Sequence, residues 1–371
     1  MSINVAVVGT GEVARAVHLP SWRHVHHAQV GAVCDVNRDA AEKVAKDWGI
    51  SHFYTDFAEL LQHERPRLVD ICTPPATHLP LTVQALSAGC SVILEKPMAM
   101  TLEDADQIMK AYDNRGDRGL KLGVVHNWLF EPPIMDMLSM VKAGVIGDVV
   151  CVELKALSTE RDPMVADPNH WCHSLPGGRF GEGFIHLIYL MYRLLGDVRI
   201  ESICISKTGN CSWVPYDEVL ITCKSGKRLG TIYNSINSPI IDVPSITIYG
   251  TDSHLRYESY NLTPFSRHPS PESTFGKGMD MLREIWQLSK SLSREVLAKA
   301  THRHRKSAHE IYFSLFVQSI LEGGELPLEP AEAFEANKIF LDVLDRLESL
   351  KPWRSSPAGG VSAQMELGTD Q

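Results

Sequence analysis

The sequence predicts an α/β protein whose first part forms a doubly wound parallel sheet and whose second part forms a mainly antiparallel sheet. Three observations predict this fold class. A glycine-rich turn follows the first apolar strand, short strands and helices alternate up to residue 112, and short alternating strands fill residues 198–260. At about 150 residues per domain, the length of 371 residues indicates two domains.

The first strand, residues 3–8, runs into a loop of the form G-x-G-x-x-A, made of Gly9, Thr10, Gly11, Glu12, Val13 and Ala14. This spacing has a mechanism. Gly9 permits the tight turn, Gly11 lets the backbone approach a pyrophosphate, and the small Ala14 lets the following helix lie close to the strand. The N-terminus of that helix then faces the phosphates, so the loop indicates dinucleotide binding.

The second strand, residues 29–34, ends at Asp35, about two dozen positions after Gly11. A carboxylate at this place accepts hydrogen bonds from the adenosine ribose and repels a 2′-phosphate, which favours NAD over NADP. Arg38, three residues later, is able to reach a 2′-phosphate, so NADP stays open as an alternative.

Further strands and helices continue the alternation, with strands at 68–72 and 91–94 and helices at 39–48, 56–63, 78–88 and 101–112. Ligands of such sheets bind at the carboxyl ends of the strands, where Thr73 and Pro74 follow one strand and Glu95 and Lys96 the next. Pro97 fixes the backbone after Lys96, so that the lysine is aimed into the cleft and not left in solvent.

A second informative stretch is a helix from about residue 181, in which Glu182, His186, Tyr189 and Arg193 recur at steps of four, three and four. These side chains share one face of a helix that is otherwise almost wholly apolar. Such a stripe indicates a polar cleft or a polar partner group. A histidine held by hydrogen bonds within the core is the alternative.

Charge and segment patterns exclude several classes of protein. The formal net charge of -9 argues against nucleic-acid binding, and the short basic cluster at residues 302–306 is interpreted as a solvated helix start or loop. No apolar run approaches the roughly 20 residues of a membrane helix, and nothing at the N-terminus marks the chain for export. The eight cysteines lie singly. We therefore expect reduced thiols, a cytoplasmic location and no membrane partner.

Four motifs resemble one known family. They are GTGEVA in residues 9–14, Cys34 with Asp35, CTPPATH in residues 72–78, and AGCSVILEKPMAMTLEDA in residues 88–105. Together they are similar to the glucose-fructose oxidoreductase, inositol dehydrogenase and rhizopine catabolism protein family of NAD(P)-dependent oxidoreductases. The resemblance implies a Rossmann domain over residues 1–125 and a domain for substrate binding and oligomerisation, with a large open sheet, over residues 126–351.

The resemblance also implies the limits of the second domain and its assembly. Helices at 307–322 and 331–349 are expected to close the domain, and residues 352–371 are expected to form a disordered tail. Residues 260–300 look like an insertion, with an amphipathic helix at 279–300 as a lid or interface element. The family implies a homodimer or homotetramer through the open face of the sheet.

Site residues follow from the resemblance position by position. Lys96 matches the lysine beside the nicotinamide and the reacting carbinol, His78 matches a histidine near the cofactor, and Asn127 matches an asparagine of the crossing strand. The family's arginine after that strand is missing here. Glu182 and Tyr189 stand where the family has two aspartates around its histidine, which indicates a divergent subgroup with its own substrate.

The sequence thus predicts an enzyme that transfers hydride between a nicotinamide cofactor and a secondary alcohol of a sugar, cyclitol or sugar derivative. Either His186 or Lys96 is the base, Glu182 positions hydroxyl groups, and Glu95 holds Lys96 or contacts the cofactor. Transient oxidation with bound NAD, for elimination or glycoside cleavage, and a sensor without catalysis are the alternatives. Trp171, His173, Arg179 and Tyr189 are the expected substrate contacts. No metal site is expected, because DPNHWCH (residues 167–173) lacks zinc-type spacing.

Overall fold

The computed structural model of the chain describes residues 2–116, 119–258, 265–267, 274–300 and 305–351. A six-stranded parallel sheet forms the first half, in the order β3-β2-β1-β4-β5-β6. Its strands are β1 (Ile3–Val8), β2 (Ala28–Cys34), β3 (His52–Tyr54), β4 (Leu68–Ile71), β5 (Ser91–Leu94) and β6 (Leu122–Val124). The order runs outward from β1 in both directions, which confirms the predicted doubly wound parallel sheet.

Helices cover both faces of this sheet, and side-chain caps fix where three of them begin. Asn37, Asp56 and Thr101 each accept a hydrogen bond from the backbone N–H three residues later. The helices are α1 (Leu19–Trp22), α2 (Arg38–Trp48), α3 (Phe57–Glu64), α4 (His78–Ser87) and α5 (Leu102–Asp113). A π-helical turn at Ala14–His18 precedes α1, and such turns are frequent at functional sites.

The second half is built on a seven-stranded sheet in the order β13-β12-β11-β7-β10-β9-β8. Among the described strands the β7–β10 pair is parallel and the other pairs are antiparallel, so the predicted mainly antiparallel sheet is confirmed. The strands are β7 (Val149–Leu157), β8 (Arg199–Ser206), β9 (Glu218–Ser225), β10 (Arg228–Ser235), β11 (Asp242–Gly250), β12 (His254–Tyr257) and β13 (Phe265–Arg267).

One face of this sheet is buried and the other is open. The helices of this part are α6 (Pro132–Lys142), α7 (Pro163–Ala166) and α8 (Arg179–Leu195), and α8 packs on β7 and β10 of the large sheet. Alternate residues such as Val152, Ile221 and Ile248 point inward, towards the side on which α8 packs, and are buried. Leu220 and Leu229 point outward and are exposed, so the outer face is apolar in part.

The last helices are α9 (Thr274–Ala300), α10 (Ala308–Glu322) and α11 (Pro330–Leu350). Helix α10 was expected to close the second domain, and it contacts the first half as well. Phe313 of α10 stacks on Trp22 at 4.4 Å between ring centroids, and Arg67 donates a hydrogen bond to the Ile320 carbonyl at 3.1 Å. Helix α10 therefore packs at the boundary of the two halves, against α1 and against the segment that follows β6.

Residues 352–371 and most of the basic cluster at 302–306 lie outside the described residues. Within the described part of the chain, none of the helices combines the length and apolar character that crossing a membrane requires.

Candidate active site

The predicted phosphate loop has the geometry that its glycines require. Gly9 has φ of 89°, and a Cβ there would meet the Cys72 backbone and the Thr73 side chain at 2.9 Å. A Cβ on Gly11 would meet nothing within 4 Å, so open space lies above this residue. Ala14 is completely buried where the helix approaches the strand. This open backbone at a helix start fits the pyrophosphate of a dinucleotide.

Asp35 stands at the end of β2, directly beside the loop. Its Oδ2 accepts hydrogen bonds from the Thr10 amide and hydroxyl, both at 2.8 Å, which ties the acid to the loop. Carboxylate oxygens accept more than one hydrogen bond, so ribose hydroxyls are still able to bind here. Arg38 lies over the Phe53 ring at 5.3 Å.

The loop after β4 carries Thr73 and Pro74 at the cleft, but His78 lies behind it. His78 is fully buried, and its ring nitrogens face the backbone carbonyls of Thr73 at 2.9 Å and Pro97 at 3.1 Å. It therefore connects the two loops that end β4 and β5. His78 is thus positioned to hold these loops together, and its expected place near the cofactor stays a prediction.

A buried group that the sequence analysis missed lies beneath the Glu95–Lys96 turn; we call it the inner cluster (His18, Trp22, Asp70, Cys72 and Glu95). His18 Nδ1 lies 2.9 Å from Asp70 Oδ2, and His18 Nε2 lies 2.8 Å from Glu95 Oε1. Trp22 donates to Asp70 at 2.7 Å, and the Cys72 sulfur lies 3.1 Å from His18. The sequence signal was the acid at position 70 in the middle of an apolar strand, which required a partner.

Both nitrogens of His18 face carboxylates, so both must donate and the ring is an imidazolium. Burial disfavours that charge, but Asp70 and Cys72 together outweigh burial and hold the pKa of His18 well above its usual range. Burial raises the pKa of Glu95, but His18, helped by Lys96 and His309, outweighs burial and lowers that pKa to about 2. The second oxygen of Glu95 accepts from the Lys96 amide at 3.0 Å. Glu95 is thus engaged below the cleft and bonds Lys96 through its backbone amide, and its expected contact with the cofactor stays a prediction.

Lys96 meets Glu182 of α8, and this ion pair joins the two halves of the molecule. Lys96 Nζ donates to Glu182 Oε1 at 2.5 Å and to the Glu182 carbonyl at 3.2 Å. Arg179 donates to the other carboxylate oxygen at 3.2 Å and to Asp162 at 3.1 Å. Burial raises the pKa of Glu182, but Lys96 and Arg179 together outweigh burial, and the net shift of this pKa is downward. Glu182 is therefore ionised and is directed at Lys96.

His186 lies one turn further along α8, with 9% of its surface exposed. Its ring stacks on Trp128 at 4.4 Å, and Nδ1 lies 2.8 Å from the Tyr189 hydroxyl oxygen. That oxygen also accepts from the Trp128 amide at 2.9 Å and lies 3.5 Å from Asn127 Oδ1. Burial, reinforced by the charge of Lys96, holds the pKa of His186 well below its usual range, so the ring is neutral.

The stripe predicted on this helix is real, but its members face different surroundings. Tyr189, expected to contact the substrate, is 1% exposed and lies beneath His186. Arg193 pairs with Glu332 of α11 at 2.6 Å and does not reach the cleft. The sequence places all four residues on one face, but only the packed structure shows how deep each one lies.

The expected rim residues separate into two groups. His173 and Arg179 line a cavity of about 340 Å³ together with Trp213, Tyr216 and Glu348. Trp171 is exposed and is not among the residues that line this cavity. His173 Nε2 lies 3.1 Å from the Asp167 carbonyl oxygen. The structure thus brings Arg179 close to Lys96 through Glu182 and leaves Trp171 at the surface.

The fold and the site together define a class of protein: a two-domain NAD-binding oxidoreductase with a lysine at the carboxyl end of a Rossmann strand. Residues 3–123 match the model of the oxidoreductase family with an NAD-binding Rossmann fold, GFO_IDH_MocA, and residues 139–340 match its C-terminal alpha/beta domain. The chain belongs to this family, as the sequence motifs indicated.

The individual relatives share at most about a third of their aligned residues with this chain. Oxidoreductase P35 of Formosa agariphila is 26% identical over 70% of this chain and 81% of its own length. D-glucoside 3-dehydrogenase of Escherichia coli is 30% identical, over 42% of this chain and less than half (43%) of its own length. The crystal structure of the WlbA dehydrogenase from Bordetella pertussis, with NADH and UDP-GlcNAcA, has a TM-score of 0.73 at 20% identity and covers 94% of this chain and 96% of that chain. That likeness shows the common fold.

Proposed function

We propose that the enzyme transfers hydride between NAD and a secondary alcohol of a sugar, cyclitol or sugar derivative. The observation that carries this proposal is the meeting of Lys96, at the end of β5, with Glu182 of α8, one turn before the neutral His186. A proton donor and a proton acceptor stand at the place where a Rossmann sheet presents its cofactor. A protein that only bound the dinucleotide would have no need of this pair.

The chain's own residues supply the cofactor site. The open backbone at Gly11 would hold the pyrophosphate, Asp35 would accept from the adenosine ribose, and Thr73 and Pro74 would border the nicotinamide half. Asp35 would repel a 2′-phosphate, and Arg38 is packed on Phe53, so NAD is favoured over NADP. When bound, the nicotinamide accepts or donates the hydride.

Lys96 would orient the reacting oxygen. An ammonium has three donors, and two of those on Lys96 are directed at Glu182. The third is then available for a substrate hydroxyl or carbonyl oxygen. Since Glu182 is also bonded to Arg179, the lysine is held in one position before the substrate arrives.

His186 would take the proton. The arrangement that uses every donor has Nδ1–H donating to the Tyr189 oxygen and the Tyr189 hydroxyl donating to Asn127. This tautomer leaves Nε2 bare, and among the described residues no hydrogen bond reaches it. A neutral imidazole with a fixed tautomer acts as a base without first losing a proton. The reverse assignment, with Lys96 as the base, requires that lysine to lose its proton beside Glu182.

The names of the relatives support a polyhydroxylated substrate. One relative is a D-glucoside 3-dehydrogenase, another a D-apiose dehydrogenase and another an inositol 2-dehydrogenase. The cavity beside Arg179 would hold the part of the substrate that lies away from the reacting carbon. Two of the expected substrate contacts, His173 and Arg179, line this cavity.

The test is the absorbance near 340 nm of the purified protein with NAD+ or NADP+ and a panel of sugars, cyclitols, glycosides and nucleotide sugars. Growth of the signal with one compound, and faster growth with NAD+ than with NADP+, supports the proposal. If the protein binds NAD in calorimetry but every compound fails, net dehydrogenation is wrong. Product analysis of the same mixtures would then separate transient oxidation from sensing.

We also propose that two copies of the chain pair through the outer face of the large sheet. Leu220 and Leu229 are exposed there on β9 and β10, and exposed apolar side chains on an open sheet face are typical of a protein–protein interface. The oligomeric state in solution, measured for the wild type and for Leu229→Glu, tests this pairing.

A further inference from the structure

His309, in the first turn of α10, is a histidine that the proposed mechanism does not use. It forms a triangle with His18 and Glu95, in which one side-chain atom of each residue lies within 4.8 Å of the other two. His18 and Glu95 are buried, whereas His309 is half-buried. His309 therefore stands beside the Glu95–Lys96 turn and is the member of the triangle that is most open to solvent.

Aromatic neighbours hold the His309 ring in place. Its centroid lies 5.4 Å from that of His18 and 6.1 Å from that of Phe313, whose ring it meets edge-on. Both neighbours are fixed in turn, because His18 bonds two carboxylates and Phe313 stacks on Trp22. Ser307 caps the start of α10 by accepting from the Glu310 amide at 3.1 Å. The ring is thus positioned before a ligand binds.

The polar atoms of this ring are available. Among the described residues no hydrogen bond reaches either ring nitrogen of His309. Burial, reinforced by the positive charge of His18, lowers the pKa of His309 to about 4, so the ring is neutral near pH 7. A neutral imidazole offers one N–H donor and one acceptor nitrogen. His309 is therefore a positioned polar group that is able to bond a ligand on both ring nitrogens.

Electrostatic interactions place His309 at the cleft between the two halves. Lys96 lowers the pKa of His309, and His309 in turn lowers the pKa of His186. These two partners come from opposite halves, Lys96 after β5 and His186 from α8. A side chain that acts on both, and that lies beside Glu95, borders the carboxyl end of β5. Doubly wound sheets hold their cofactor at this edge.

The strand order indicates which half of the dinucleotide lies there. Gly11 and Asp35 follow β1 and β2, and they would hold the pyrophosphate and the adenosine ribose. Glu95 follows β5, which lies on the other side of β1 in the order β2-β1-β4-β5. A dinucleotide spans the crevice between these two sides, so its nicotinamide half lies towards His309. That half carries ribose hydroxyls and a carboxamide, which both donate and accept hydrogen bonds.

We propose that His309 binds the nicotinamide half of the dinucleotide, through a hydrogen bond between its ring and the ribose hydroxyls or the carboxamide. The contact comes from α10, so a helix that follows the second sheet in the chain completes a cofactor site built by the first. This inference rests on the cofactor of the proposed function. It does not depend on the substrate or on hydride transfer.

The test is calorimetry of the full chain and of His309→Ala with three probes: NAD+, ADP-ribose and ADP. ADP-ribose keeps the second ribose without the nicotinamide, and ADP lacks both. We expect His309→Ala to weaken NAD+ binding about five- to tenfold, the effect of one lost hydrogen bond, and to leave ADP binding unchanged. A loss shared by NAD+ and ADP-ribose assigns the contact to the ribose. A loss confined to NAD+ assigns it to the carboxamide.

Two further variants separate a hydrogen bond from packing. His309→Gln keeps a donor and an acceptor, so it should restore part of the NAD+ affinity, which a ring that only packed would not do. His26→Ala, at an exposed histidine, is the matched control and should bind all three probes as the wild type does. Unchanged ADP binding verifies that each variant is folded.

Two results would overturn the assignment of His309. One is an NAD+ affinity of His309→Ala equal to that of the wild type. The other is an equal loss for NAD+ and ADP, which would mean that the substitution disturbs the whole site. A wild type that binds none of the three probes would overturn the cofactor of the proposed function, and the role of His309 with it.

Discussion

His18 and His186 are both buried histidines near the Glu95–Lys96 turn, yet they carry opposite charge states. His18 lies between two carboxylates and is an imidazolium, whereas His186 lies near Lys96, bonds a tyrosine hydroxyl and is neutral. Burial disfavours the charge on both rings. The comparison teaches that the partners of a buried histidine, and not its depth, assign it to structure or to chemistry. Closed bonding on both nitrogens marks a structural group, and one bare nitrogen marks a reactive one.

The largest expected effect comes from removing His18, the histidine whose two ring nitrogens are both bonded. His18→Ala leaves Asp70 and Glu95 buried without their shared counter-charge, and breaking a buried ion pair in this way costs about 3–5 kcal/mol. We expect the free energy of unfolding in urea to fall by that amount at pH 7. His26→Ala, at an exposed position shortly before β2, is the matched control, and it should change the free energy of unfolding little.

A second variant keeps this prediction testable if His18→Ala does not fold. His18→Gln is able to donate to one carboxylate but not to both, so it should lose a smaller part of the stability. Equal stability of His18→Gln and the wild type would show that the inner cluster does not need its positive charge.

The next effect is on catalysis. Lys96→Ala removes the donor that orients the reacting oxygen, and we expect kcat to fall at least about 100-fold, or about 2.7 kcal/mol, with NAD affinity largely intact. Lys43→Ala, on the exposed side of α2, serves as control because its partner Asp47 is also at the surface. Steady-state kinetics and calorimetry with NAD separate the two quantities. Unchanged turnover would remove Lys96 from the mechanism.

A third prediction concerns the pH dependence of stability and extends the comparison of charged and neutral buried histidines to His126. His126 is buried against Tyr189, at 4.2 Å between ring centroids, and burial, with Arg193, lowers its pKa to about 3. Between pH 6.5 and 3 the unfolded chain binds a proton at this residue that the folded chain does not. Stability therefore falls as the pH falls, by about 1.4 kcal/mol per pH unit.

His126→Phe keeps the ring and removes the titration, so its unfolding free energy should fall less steeply below pH 6.5 than that of the wild type. His26→Phe, at an exposed histidine, is the control and should keep the wild-type slope. Parallel slopes for His126→Phe and the wild type would contradict the neutral state assigned to His126. The pH dependence expected from His18 has the opposite sign. Its contribution to stability is full below pH 6.5 and is lost only as the pH rises through its raised pKa.

The sequence predicted the parts of the site that depend on local spacing. The loop from Gly9 to Ala14, Asp35 at a strand end, Lys96 after β5 and the stripe on α8 all follow from periods and turn geometry. The inner cluster did not follow, because residues 18, 70 and 95 meet only when three separate elements pack together. The burial depth of Tyr189 was missed for the same reason. Helical periodicity assigns Tyr189 to a face of α8, but Trp128 and His126, from another segment, bury it. The contact of α10 with α1 did not follow from the sequence either, because an apolar helix does not encode which elements it will cover.

The smallest expected effect tests whether Tyr189 fixes the tautomer of His186. Tyr189→Phe removes the oxygen that His186 Nδ1 and the Trp128 amide share, a net loss of about 1 kcal/mol per hydrogen bond. If that oxygen keeps Nε2 bare, kcat should fall roughly fivefold while KM and NAD affinity stay the same, since Tyr189 is buried beneath His186. Tyr192→Phe, on the next face of α8, is the matched control. A loss of stability without a change in kcat would mean that Tyr189 only packs, and His186 would then owe its neutral state to burial and to Lys96 alone.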